Sequence, residues 1–133
     1  LARGVRGMKT TRVGIENGRA TFAFEAVKKA KEGGVKDFKA YRSYVKKMPS
    51  LIQVNGFGQA LAFCFQKGKE YDAIYSTLRD WLKEKYKDKF KDKEFVEVVI
   101  SLSSAEYRAW TMEALALLNW MRKFADGMAK QGE

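Results

Sequence analysis

A chain of 133 residues, 46% hydrophobic and 14% aromatic, is long enough to bury one core and too short for two ordinary domains. One cysteine and no histidine exclude a disulfide framework and a Cys/His zinc site, so a reducing cytoplasmic setting is expected, and no run approaches the roughly 20 apolar residues that span a bilayer, so no membrane partner is. With 26 Lys and Arg against 16 Asp and Glu the net charge is +10, which favours a polyanionic partner, nucleic acid first.

Residues 1–13 carry Arg3, Arg6, Lys9 and Arg12 without the apolar core of a signal peptide. They read as a basic arm ahead of a single helical domain over 14–133. Gly14-Ile15-Glu16-Asn17-Gly18 lacks the lysine and flanking strand of a phosphate-binding loop and reads as an ordinary loop or helix entry. From Arg19 to Lys31, Ala20, Ala23, Phe24, Val27 and Ala30 fall on one helical face, and Gly33-Gly34 stops the element. Val35, Phe38, Tyr41, Val45 and Met48 repeat the spacing in a second helix, which Pro49 separates from the next element.

The Asn55-Gly56 pair, flanked by apolar residues, is a hairpin signal. A returning strand there would contain Gly58, Ala60 and Ala62, which have little to pack. A buried third helix suits the segment better. Val54, Phe57, Leu61, Cys64 and Phe65 line one face, Leu51, Ile52, Ala60 and Phe63 extend the apolar surface, and Gly68 ends it. Asn-Gly is then a packing feature rather than a turn, with Gly56 and Gly58 admitting another backbone or lying in an irregular first turn.

Tyr71, Ile74, Tyr75, Leu78, Trp81 and Leu82 form a fourth stripe, followed by a solvated helix end and loop over Lys83–Lys93. The β-branched run Glu94–Leu102 suits a strand locally, but a lone strand has no partner, so a short helix is expected. Ser103 and Glu106 stand at capping-box spacing. The longest helix follows, with Tyr107, Trp110, Ala114, Leu117, Leu118, Met121, Phe124, Ala125 and Met128 on its apolar face. The expected fold is an all-α, single-domain bundle of about five or six helices.

Catalysis finds little support in these residues, because the commonest general base is absent, Cys64 lies in an apolar stripe, and serines and carboxylates form no spaced constellation. No cofactor or metal is expected. Glu106 and Glu113 are a candidate carboxylate pair, but they read as parts of a solvated face. The aromatics repeat at helical spacing and belong to a core, apart from Tyr86 and Phe90, which lie among lysines and read as minor contacts under a loop. Lys46-Lys47 and Arg122-Lys123 stand out as basic pairs without an adjoining acid.

The blocks "GRATFAFEAV", "YVKKMPSLIQVNGFGQALAF" and "EYRAWTMEALALLNWMRKFADGM" resemble, in order, the signature blocks of the small subunit of the type III-B CRISPR effector, the Cmr complex. The resemblance covers most of residues 18–128, more weakly over 70–102. It implies a small all-α protein without a catalytic site. It also implies copies stacked as a minor filament beside the large subunit and against the backbone subunits, facing the duplex of guide RNA and target RNA, with RNA cleavage and cyclic-nucleotide synthesis left to other subunits. Arg19, Lys46, Lys47, Arg122 and Lys123 are the positions it marks as RNA-facing or filament-facing charge. Where the third block commonly has two arginines, this chain has Arg122-Lys123, which keeps the charge and loses one bidentate fork.

Two other classes predict different features. A stand-alone helical nucleic-acid-binding protein should expose a polar recognition helix, whereas the best-spaced helices here are apolar. A metal-dependent nuclease should cluster its acids.

Overall fold

The computed structural model describes residues 2–131, with side chains at 14, 16 and 18–130. Seven helices follow one another, and no strand occurs among the described residues. They are α1 (Ala2–Lys29), α2 (Phe38–Asn55), α3 (Phe57–Lys67), α4 (Glu70–Lys85), α5 (Lys87–Phe90), α6 (Phe95–Ile100) and α7 (Ser104–Gln131). The all-α bundle expected from periodicity is the fold observed, with five long helices and two short ones. The basic arm expected over 1–13 falls where no side chain is described. Gly14–Gly18, expected as a loop or entry, lies inside α1, which ends in a wide π-type turn over Ala30–Gly34 with Gly33 at φ 111°.

Helix α7 is the pole of the bundle. Helices α1 and α2 pack along it, α4 crosses between α7 and α2, and α3 covers α2 and α4. Its Trp110, Ala114, Leu117, Leu118, Met121 and Ala125 are all buried, as the spacing predicts. The capping box forms: Glu106 N–H donates to Ser103 Oγ at 3.2 Å and Ser103 N–H to Glu106 Oε1 at 3.3 Å, satisfying two amides that a helix start leaves unpaired. The α4 stripe from Tyr71 to Leu82 is likewise buried throughout. Each large apolar side chain so buried contributes about 1.5 to 3 kcal/mol.

The β-branched run does form a helix, α6. Phe95, Val98 and Val99 turn into the core, and Tyr75 grips the entry by donating to Glu94 Oε2 at 2.6 Å and accepting from Val96 N–H at 3.0 Å. The lysine-rich stretch before it is more than a solvated end. Phe90 is fully buried, stacked on Trp110 at 5.7 Å and on Phe95 at 5.9 Å, while Tyr86 stacks on Trp110 at 4.8 Å. Phe90 thus belongs to the main core, and Lys91 and Asp92 turn the chain back with φ of 43° and 65°.

The Asn-Gly pair is not a hairpin, yet it is a break. Helix α2 continues through Pro49 to Asn55, and the chain turns at Gly56, whose φ of 94° and ψ of 157° suit glycine alone. An interior proline costs about 3 kcal/mol, and burial of Met48 and Ile52 on either side offsets that. Leu51, Ile52 and Val54 therefore belong to α2, and the break resets the helical phase. Phe57, Leu61 and Cys64 are buried as expected, but Val54 is 77% and Phe65 57% exposed. What approaches the glycines is a side chain, not a backbone: Tyr107 Oη accepts from Gly58 N–H at 2.8 Å, and a Cβ on Gly56 would lie 3.3 Å from it.

Candidate nucleic-acid interface

Arg19 sits where α1 crosses α7. Its Nε donates to Glu113 Oε2 at 2.8 Å, Nη2 to Glu113 Oε1 at 2.9 Å and Nη1 to Glu16 Oε1 at 2.8 Å. With its side chain 19% exposed and both flanks met by carboxylates, Arg19 does not present free charge. The RNA-facing or filament-facing charge expected of Arg19 is engaged with Glu113 and Glu16 inside the subunit. Glu113, read as part of a solvated face, is instead buried. It also accepts from the Trp81 indole N–H at 2.7 Å. Burial alone would raise its pKa, but the hydrogen bonds from Arg19 and Trp81 outweigh burial and hold the carboxyl below its ordinary value. Glu16 extends the network by accepting from the Trp120 indole N–H at 2.6 Å.

The first basic pair, Lys46-Lys47, divides across α2. Lys46 turns toward α7, with Nζ 3.4 Å from Asp126 Oδ1, and Arg42, one turn earlier, donates to the same oxygen at 2.7 Å. Arg122 lies one turn before Asp126 on α7, hence on the same face, where it donates to Asn119 Oδ1 at 3.1 Å. Two cations of α2, Arg42 and Lys46, thus meet one acid of α7, with Arg122 one turn before that acid on the same helix face. Asp126 is held below the usual carboxylate range by the hydrogen bond from Arg42. Arg42 was missed by reading adjacent residues; its four-residue spacing from Lys46 is the signal that places it on this face.

Lys47 points the other way. Its ammonium lies 5.8 Å over the Tyr44 ring, which stacks at 4.0 Å on Tyr71 of α4. Lys123 parts from Arg122 in the same manner, lying 5.9 Å over Trp120 on the flank that faces α1, beside Lys28 and Lys31. Successive helical residues project about 100° apart, so neither basic pair acts as a pair. The structure sets Lys46 against Asp126 and Arg122 against Asn119 of α7, and sends Lys47 toward Tyr44 and Lys123 toward Trp120.

Among the described residues, no three acids, cysteines or histidines are placed to hold a metal ion. Glu106 is taken by the capping box and by Lys89 at 2.6 Å. Cys64 is buried, and desolvation pushes its thiol up to about 12. No helix among the described residues is long and apolar enough to cross a membrane. The chemistry that this surface can do is electrostatic: ammonium and guanidinium groups on two helices can meet phosphates without reading bases.

Residues 15–128 match the family model of the CRISPR-associated protein (Cas_Cmr5). The chain is 31% identical over 110 residues to the CRISPR system Cmr subunit Cmr5 of Thermus thermophilus, covering 82% of this chain and 90% of that relative. The fold is similar to the crystal structure of a CRISPR-associated Cmr5 family protein from the same organism. The TM-score is 0.71 at 27% identity, over 84% of this chain and 97% of that one.

Proposed function

Because this chain belongs to the Cmr5 family of CRISPR-associated proteins, the small subunits of the type III-B Cmr complex, we propose that it serves that complex as a non-catalytic scaffold. Copies stack as a minor filament beside the large subunit and the backbone subunits, and a basic face holds guide RNA and target RNA. The observation that carries this reading is the excess of Arg42 and Lys46 of α2 over the single acid Asp126 of α7 that they share, with the exposed Arg122 one turn away on α7, bonded to Asn119. This face has surplus positive charge on two packed helices and no base-reading element, which suits a partner whose sequence is read by the guide strand. Lys47 and Lys123 extend the charge onto the two flanks.

A single subunit touching a few phosphates binds weakly, and affinity falls as salt rises. Stacked copies present the same face at high effective concentration, so the assembly holds what one copy barely grips. The test is a pull-down of the tagged chain with identification of bound chains and RNA, repeated with Lys46, Lys47, Arg122 and Lys123 all changed to glutamate. The expected result is recovery of a larger RNA-containing assembly. The variant should keep its helical circular dichroism and lower the complex's affinity for target RNA, with a shallower salt slope. Recovery of the chain alone with nucleic acid would favour a stand-alone binding protein. Unchanged affinity and salt slope in the variant would remove these residues from the interface.

A further inference from the structure

The groove between α1 and α7 combines three lysines with aromatic rings in one depression. Phe24 is 40% exposed and meets Phe124 edge-to-face at 5.3 Å and 88°. Phe124 in turn stacks on Trp120 at 5.7 Å and 22°, and the Trp120 ring is fixed by its hydrogen bond to Glu16. Phe24, Phe124 and Met128 form the apolar part of a depression of about 410 Å³ whose basic lining is Lys28, Lys31 and Lys123, with Glu32 the one acid. That volume falls in the range of small-ligand sites, about 300 to 1,000 Å³. The Lys31 ammonium lies 4.9 Å over Phe38 and that of Lys123 lies over Trp120. None of the three lysines forms an ion pair among the described residues.

The exposed Phe24 ring and the half-buried Phe124 beside it, bordered by ammonium groups without an ion-pair partner, match the two parts of an unpaired nucleotide, whose base offers a flat π-surface and whose phosphate offers charge. A paired strand offers only the phosphates, since its bases are already stacked within the helix. The three-to-one charge balance of the lining favours a phosphate-bearing occupant over a protein segment. We infer that the α1–α7 groove holds an unpaired nucleotide of an RNA strand, its base against Phe24 and Phe124 and its phosphates beside Lys28, Lys31 and Lys123. The inference rests on the RNA-holding role proposed above and shares Lys123 with it, but it centres on the α1–α7 groove and on a different discrimination, single strand against duplex.

The test measures fluorescence anisotropy of the full chain with a labelled oligouridine and with a duplex RNA of equal length. Phe24→Ala and Phe124→Leu should each weaken oligouridine binding about tenfold and leave duplex binding unchanged, with the helical spectrum intact; Phe124→Tyr, which keeps the ring, should bind as the parent does. Lys28→Glu should weaken oligouridine binding and flatten its salt dependence. Unchanged oligouridine affinity in both phenylalanine variants, or an equal loss on single strand and duplex, would overturn the inference. So would phenylalanine variants that bind oligouridine normally but no longer co-purify with the complex, since the groove would then belong to a protein partner. Failure of the broader proposal shows elsewhere, in the pull-down and in a variant reversed at Lys46, Lys47 and Arg122 only, which leaves the groove's Lys123 in place, so the two outcomes are separable.

Discussion

Arg19 of α1 and Glu113 of α7, 94 positions apart in sequence, meet through two parallel hydrogen bonds of 2.8 and 2.9 Å. The carboxylate also accepts from Trp81 of α4, so one buried acid ties together three helices. The bond to Glu113 raises the Arg19 pKa further, which keeps the guanidinium charged and committed to this contact.

Glu113→Ala leaves a guanidinium and an indole N–H without their acceptor. A loss of about 2 to 3 kcal/mol is expected, read as a shift of the urea midpoint. Arg19→Ala strands the buried carboxylate and should cost a similar amount. A shift near zero in both variants would mean that water replaces the pair freely.

The same site sets a pH dependence. The folded-state pKa values of Glu113, Asp126 and Glu106 all lie below their ordinary values. The main lowering contacts are, respectively, Arg19, Arg42 and Lys89. A depressed carboxylate contributes stability above its unfolded pKa, about 4, and loses it as pH falls through the lower folded value. Stability should therefore be level from neutral pH to about 5 and decline below about 4, with a smaller decline in Glu113→Gln. Urea midpoints measured across this range check the prediction.

Gly56 and Gly127 should respond oppositely to alanine. At Gly56 the φ of 94° and the Tyr107 hydroxyl 3.3 Å from a built Cβ predict a loss of about 1 to 3 kcal/mol. Gly127, inside α7 with open space around its would-be Cβ, should gain about 1 kcal/mol from the lower helical cost of alanine. Thermal melts of the two variants decide this.

Leu61 of α3 and Leu117 of α7 are both fully buried. Truncation of either to alanine should lower unfolding free energy by about 2 to 5 kcal/mol, whereas Val54→Ala, at an exposed position, should change it little. Equal effects at all three positions would contradict the helical phase on the two sides of Gly56.

The Cys64 thiol, buried and pushed up to about 12, should resist alkylation at pH 8 in the native state and react once urea unfolds the chain. Rapid native labelling, measured by mass spectrometry, would show that α3 opens locally.

Local periodicity by itself determined much of this fold. The α4 stripe from Tyr71 to Leu82, the Ser103–Glu106 box and the core face of α7 were all legible, because each depends only on residues within a few turns of one helix. The break at Gly56 was not legible as a break. Helix propensity ranks Pro49 as the worse residue, yet packing on both sides carries α2 through the proline and leaves the positive φ to glycine, exposing Val54 and Phe65. The candidate interface depended still more on tertiary structure. Adjacent lysines and arginines look like pairs in sequence, but a turn of about 100° per residue sends their side chains to different neighbours. Lys46 joins Arg42 at Asp126, Lys123 joins Lys28 and Lys31 along the α1–α7 groove, and Arg19 finds Glu113. Sequence determined which charges the chain carries; the packing of α1 and α2 against α7 decided which of them meet carboxylates and which stay without an acid partner among the described residues.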